Sequence, residues 1–150
     1  MREPEPQLRS LFRRSAAMDM PAIMSGMAGR SMRSIYRDLA RMGYLSSYSH
    51  AGKYYTLRHI PTFDSHGLWF HGEVRFSKHG TLRATVVMLV CQAPAGRTHE
   101  ELQVILGLRV HDTLRSLVED HALRREQVEA VYVYVDPDPK RAAAQVAQRQ

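Results

Sequence analysis

Arginines 30, 33, 37 and 41 recur three or four residues apart, with Ser34 among them. On a helix that turns about 100° per residue, these five side chains fall within roughly 100° of one another. A guanidinium stays charged and presents a planar fork of donors. That shape suits phosphate oxygens or the O6/N7 edge of guanine. The same stretch sends Met32, Ile35, Tyr36, Leu39, Ala40 and Met42 to the other side, with Asp38 at the edge of the basic arc. Such a helix packs through one face and offers the other to a polyanion. The competing reading is an amphipathic surface helix with solvated arginines. Four arginines against one acid favour nucleic acid.

The charge distribution points the same way. Residues 1–60 hold ten of the 21 Lys/Arg and four of the 15 Asp/Glu, which is the whole net charge of +6. Residues 61–150 hold eleven of each and are neutral. A basic half joined to a neutral half suggests that one module meets a polyanion and the other does something else.

Other chemistry is not visible in the sequence. His66, His71 and His79 are the closest histidine group, and no cysteine or carboxylate stands near them at zinc spacing, so no metal site is expected. There is no phosphate-binding glycine loop, nucleophile elbow, dinucleotide fingerprint or His-Glu-x-x-His. Asp136 and Asp138 are flanked by prolines and read as a turn rather than a catalytic pair. The sequence therefore predicts a protein that is not an enzyme and uses no cofactor. Cys91, the single cysteine, lies in an apolar run and reads as a small buried hydrophobe in a reducing compartment. The first residues lack the apolar core of a secretory signal, and no run approaches the ~18–20 apolar residues of a membrane span.

The elements that must position the arginines follow from periodicity and punctuation. A first helix is predicted over 7–17, with Leu8, Leu11 and Phe12 as its stripe. Asp19 is placed to cap a second helix, with Pro21 in its first turn. The third helix, 31–42, ends at Gly43. Strand-like runs 44–48 and 53–57 flank Ser49-His50-Ala51-Gly52, a hairpin turn. Its tip offers His50 and Lys53 to backbone phosphates, and Arg58 follows.

Residues 61–80 read as a connector with short extended pieces at 68–70 and 74–76. Trp69 is expected to be a core anchor joining two modules. A helix over 81–92 stops at Ala93-Pro-Ala-Gly96. Thr98-His-Glu-Glu101 is a capping box that opens another helix. A further helix over 111–121, a strand over 128–135 and a loose alanine-rich helix over 140–150 complete the chain.

Ser31-Met-Arg-Ser-Ile-Tyr-Arg-Asp-Leu-Ala-Arg-Met-Gly-Tyr-Leu45, followed by Ala51-Gly-Lys-Tyr-Tyr-Thr-Leu57, resembles prokaryotic winged helix-turn-helix regulators and the N-terminal winged helix of AbiEi-type antitoxins. The likeness covers about the first 60 residues. It implies that the helix over 31–42 enters the major groove of double-stranded DNA. Carried over position by position, it points to Arg30, Arg33, Ser34, Arg37 and Arg41. The second half is similar in order, from Thr98 through Thr113-Leu-Arg-Ser-Leu-Val118 to a Tyr/Val strand. Its corresponding helix mixes Arg115 with Asp112, Glu119 and Asp120, and acids repel phosphates. Dimerisation or protein interaction suits that half better, with Arg109, Arg124 and Arg125 left for a secondary phosphate contact.

The expected fold class is α+β, mainly α, as two tandem winged helix-turn-helix modules. They comprise a basic module at 1–60, a connector at 61–80 and an interaction module at 81–150. The expected function is a cytoplasmic, nucleoid-associated, homodimeric transcription regulator. It would dimerise through the C-terminal module and have no membrane partner. The alternatives are a protein-interaction adaptor, antitoxin-like or complex-assembling, and a DNA-targeting accessory of a mobile element or nuclease.

Overall fold

Leu8 and Phe12, one turn apart, are buried on α1 (Pro4–Arg14), the first element of a computed structural model that describes residues 4–150. The described residues form seven α-helices and three small antiparallel sheets, an α+β arrangement. They divide into two units, Met1–Thr81 and Leu82–Gln150.

In the first unit, α1 leads into β1 (Met18–Asp19), α2 (Met20–Gly26) and α3 (Met32–Met42). Asp19 caps α2 by accepting from the Ala22 N–H at 3.0 Å, which satisfies one of the free donors of the first turn. Ser31 caps α3 in the same way, accepting from the Ser34 N–H at 3.1 Å. Gly43 ends α3 with φ of 88°, a backbone angle that glycine adopts without steric cost. The chain then forms β2 (Tyr44–Ser46), a 3-10 turn (His50–Gly52) and β3 (Tyr54–Leu57). β3 lies in the middle of its sheet, paired with β1 and β2. Leu8, Phe12, Ile23, Met27, Ile35, Leu39 and Leu57 form one buried cluster. Each such side chain contributes about 1.5–3 kcal/mol when taken out of water.

Residues 61–80 are more than a connector. They form the hairpin of β4 (Leu68–His71) and β5 (Val74–Ser77) and belong to the first unit. The Tyr48 N–H donates to the Arg75 carbonyl at 2.9 Å, and the Arg75 N–H donates to Ser49 Oγ at 2.9 Å. The hairpin thereby covers hydrogen-bonding groups beyond the end of β2 that would otherwise face solvent. Trp69 packs at 5.4 Å on Phe76, in a cluster with Leu45 and Ala17. Its ring partners His71 and Phe76 both lie in the first unit, where it seats this hairpin.

The second unit runs α4 (Leu82–Cys91), β6 (Arg97–Thr98), α5 (His99–Leu106), α6 (His111–Glu119), β7 (Arg124–Val128), β8 (Val131–Val135) and α7 (Pro139–Arg149). Thr98 and Glu101 make the reciprocal capping box. The order helix, short strand, helix, helix, strand, strand thus occurs twice. Both times the last strand is central, here as β6-β8-β7. Gly96 lies so close to β8 that a Cβ would meet the Tyr134 carbonyl at 2.5 Å.

Two expectations for this unit need correction. The strand over 128–135 is a hairpin, because 124–128 also pairs in full register from Arg124↔Val135 to Val128↔Val131. The C-terminal helix is not loose. Gln145, 6% exposed, donates to the Val90 and Ala93 carbonyls at 2.9 and 2.8 Å and accepts from the Asp136 N–H at 2.7 Å. Arg149 adds bonds to the carbonyls of Ala95 and Gly96 and to Glu101. Burial works against ionisation of Glu101, but the bonds from Arg149 and the Thr98 N–H outweigh it and hold its carboxyl below the usual range. Asp138 caps this helix through the Arg141 N–H, and Asp136 accepts from the Asp138 N–H.

Candidate nucleic-acid interface

The inner face of α3 is set by Ile35 and Leu39, both fully buried. Tyr36 reaches the sheet, where its hydroxyl meets that of Tyr55 at 2.8 Å. Burial and that hydrogen bond push the Tyr55 phenol up to about 12. With this face fixed, helical spacing carries Arg33, Arg37 and Arg41 to solvent. Arg33 and Arg37 make no hydrogen bond or ion pair among the described residues, so their forks are free. Arg41 lies 3.9 Å from Asp38 but is 60% exposed.

Two members of the expected arc have other roles. Arg30 precedes α3 and is bonded to Asp38, whose side chain is only 2% exposed. Asp38 therefore does not sit at the edge of the arc. It turns inward, because a buried carboxylate needs a charged partner and Arg30 supplies it. Ser34 is half-buried, and its hydroxyl accepts from the Ser31 hydroxyl in the cap. On the side expected to be apolar, Met32 is 48% exposed and Ala40 is exposed, so the outer face is broader than the arginine arc.

The hairpin turn is held rigidly. Ser46 Oγ donates to the Gly52 carbonyl at 2.5 Å and Ser47 Oγ to the Ser49 carbonyl at 2.7 Å. His50 and Ala51 both have φ of 54°, a left-handed conformation uncommon for residues with a Cβ. His50 is exposed with its ring edge-on to Tyr54 at 5.3 Å and its Nδ1 2.9 Å from Ser49 Oγ. Lys53 is exposed with no partner among the described residues. Arg58 is exposed at the other end of the hairpin: its N–H donates to the Gly43 carbonyl at 3.2 Å and its side chain lies along Gly43. Arg58 is thus beside the end of α3, whereas His50 and Lys53 belong to the turn.

One basic group escaped the sequence reading. Arg75 sits on the second hairpin with its guanidinium 4.6 Å from the centre of the Phe70 ring. The alternation Val74-Arg75-Phe76 carried the signal that Arg75 faces away from the core, but not that the hairpin joins the first unit.

In the second unit the outer groups of α6 are mutually engaged. Arg115 lies 3.7 Å from Asp112, and Arg83 bonds Ser116 at 2.5 Å and Asp120 at 2.8 Å. Arg124 pairs with Glu126 at 3.1 Å, and Arg125 lies 4.3 Å over the Tyr132 ring. Dividing the chain after Thr81 gives twelve basic and six acidic residues in the first unit and nine of each in the second. The +6 remains with the first.

Among the described residues no group of three or more His, Cys, Asp or Glu is arranged to hold a metal ion, and no helix is long and apolar enough to cross a membrane. The chain matches no protein-family model, no curated protein and no solved structure, so its function is argued from this geometry.

Proposed function

We propose that both units are winged helix-turn-helix modules and that the first binds double-stranded DNA, with α3 in the major groove and the 50–53 turn on the backbone. The observation that carries this reading is the fate of charge on α3. Its one acid is buried and neutralised by Arg30, while Arg33, Arg37 and Arg41 remain exposed. The helix therefore presents positive charge to a groove of negative potential without an opposing carboxylate. The repeated element order, with the last strand central in each sheet, supports the winged-helix assignment for both units.

The second unit has no surplus charge, and its outer α6 groups are engaged within the unit, Arg115 with Asp112 and both Ser116 and Asp120 with Arg83 of α4. Both features favour a protein partner over DNA. Val104, 83% exposed, and the half-exposed Val131 and Tyr132 offer apolar surface for self-association. A homodimer would present two copies of α3 to half-sites one helical turn apart, about 34–36 Å. A nucleoid-associated transcription regulator follows from that reading. The neutrality of the second unit also favours a rival reading, a protein-interaction adaptor or DNA-targeting accessory in which DNA contact is secondary.

Selection of bound duplexes from a random pool tests this directly. Enrichment of a palindrome is the expected result. A pool that stays random after selection would favour the adaptor.

A further inference from the structure

Arg9 and Arg13 stand one turn apart on α1, both exposed, and neither makes an ion pair among the described residues. They line a groove of about 620 Å³ together with His59, just beyond the end of β3. Its apolar lining includes Phe12, Leu57 and Ile60, and no carboxylate lines it. Like charges four residues apart on a helix repel, and Glu5, one turn before Arg9, lines the adjoining pocket with both arginines but not this groove. An anion between them relieves that repulsion. The recognition helix does not use these residues, so this is a second concentration of positive charge with a different shape.

We infer that this groove binds a small organic anion with an apolar body, such as an arene or medium-chain carboxylate. Two guanidinium forks are suited to one carboxylate, which they can grip with charge-assisted hydrogen bonds. The volume lies within the roughly 300–1,000 Å³ usual for small-molecule sites, which are concave and mostly apolar with a few polar anchors. Phe12 and Leu57 form the buried floor of the groove, and a DNA backbone fits less well because it has no apolar body to set against the half-buried Ile60 and Ala16. Phe12 and Leu57 also belong to the buried cluster that holds Ile35 and Leu39 of α3. A ligand bound by the folded state alone raises the stability of that state.

The test uses the full chain with 1-naphthoate and octanoate as probes and 1-naphthalenemethanol as the neutral isostere of the first. Calorimetric titration should show saturable binding of at least one carboxylate, about tenfold or more tighter than the neutral alcohol. The R9Q/R13Q double variant should lose about tenfold or more of that affinity with unchanged circular dichroism, and R9K/R13K should retain part of it. Amide shifts in labelled protein should map to α1 and residues 57–60. Three results would overturn the inference: no saturable binding of either carboxylate, equal binding of acid and alcohol, or full affinity in R9Q/R13Q. Displacement of naphthoate by random-sequence duplex, with R9Q/R13Q weakened for DNA, would assign the groove to the DNA backbone and also overturn it. Loss of sequence selection by α3 variants with naphthoate binding intact would count against the DNA reading alone.

Discussion

Arg30, in the turn before α3, is bonded to the buried carboxylate of Asp38, two helical turns along. This pair removes one arginine from the proposed DNA face and one acid from its edge. Arg30→Ala should therefore lower stability rather than change base preference. Removing one partner of a buried pair costs about 3–5 kcal/mol, and here about 2–3 is expected because Arg41 remains near Asp38. Chemical denaturation measures the loss. A variant of unchanged stability with altered sequence preference would return Arg30 to the recognition set.

Arg33 and Arg37 should behave in the opposite way. Each is exposed and unpaired, so alanine at either position leaves the fold intact. If either makes a bidentate guanine contact, its loss costs about 1–3 kcal/mol and relaxes preference at one base pair. Lys53→Ala should weaken all sequences alike and reduce the slope of log K against log salt by about one. Fluorescence anisotropy with a selected site and with random duplex separates the two patterns. Folded Arg33→Ala and Arg37→Ala proteins with unchanged affinity and preference would show the arc to be a solvated face.

Much of the frame could be read from the sequence because its signals are local. Asp19 and Thr98 each cap the next helix from a position that the sequence alone identifies, whereas Ser31, expected as the first residue of the third helix, is its cap. What escaped was set by contacts distant in sequence. Arg124-Arg-Glu-Gln-Val128 is mostly polar and carries no strand signature, yet it pairs with 131–135 through a turn at Glu129, whose φ is 57°. The orientation of Asp38 depends on Arg30 outside the helix, which a wheel of α3 cannot weigh. The second hairpin joined the first unit through Tyr48 and Ser49, which show no motif for such pairing.

Gln145→Ala should destabilise the second unit more than its position near the end of the chain suggests. It leaves the Val90 and Ala93 carbonyls and the Asp136 N–H without their side-chain partner. The buried Asp136 N–H left unsatisfied costs about 1–3 kcal/mol, while the Val90 and Ala93 carbonyls keep the backbone N–H groups of Ala93 and Gly96 as donors. Gln145→Glu is the informative comparison, since a carboxylate keeps an acceptor for the Asp136 N–H but loses the donor. Thermal melting should rank wild type above both variants, and a melt unchanged in Gln145→Ala would refute the clamp.

Cys91 should react slowly with iodoacetamide in the native protein. Burial first, then the nearby Asp136 carboxylate, raises its thiol to about 11, so little thiolate exists near neutral pH. The rate should climb with pH well above the range of an exposed thiol and jump on unfolding in urea. Rapid alkylation at neutral pH in the folded state would contradict the environment described.

The clamp at Gln145 also imposes an order on synthesis. It closes a span of 55 residues onto Val90, so the second unit lacks a contact that completes it until residue 145 has emerged from the ribosome. Every residue of the first unit is available by Thr81. Domains that finish early on the ribosome tend to fold early. The nascent chain therefore passes through an interval in which its basic half can already be folded while its neutral half has yet to assemble.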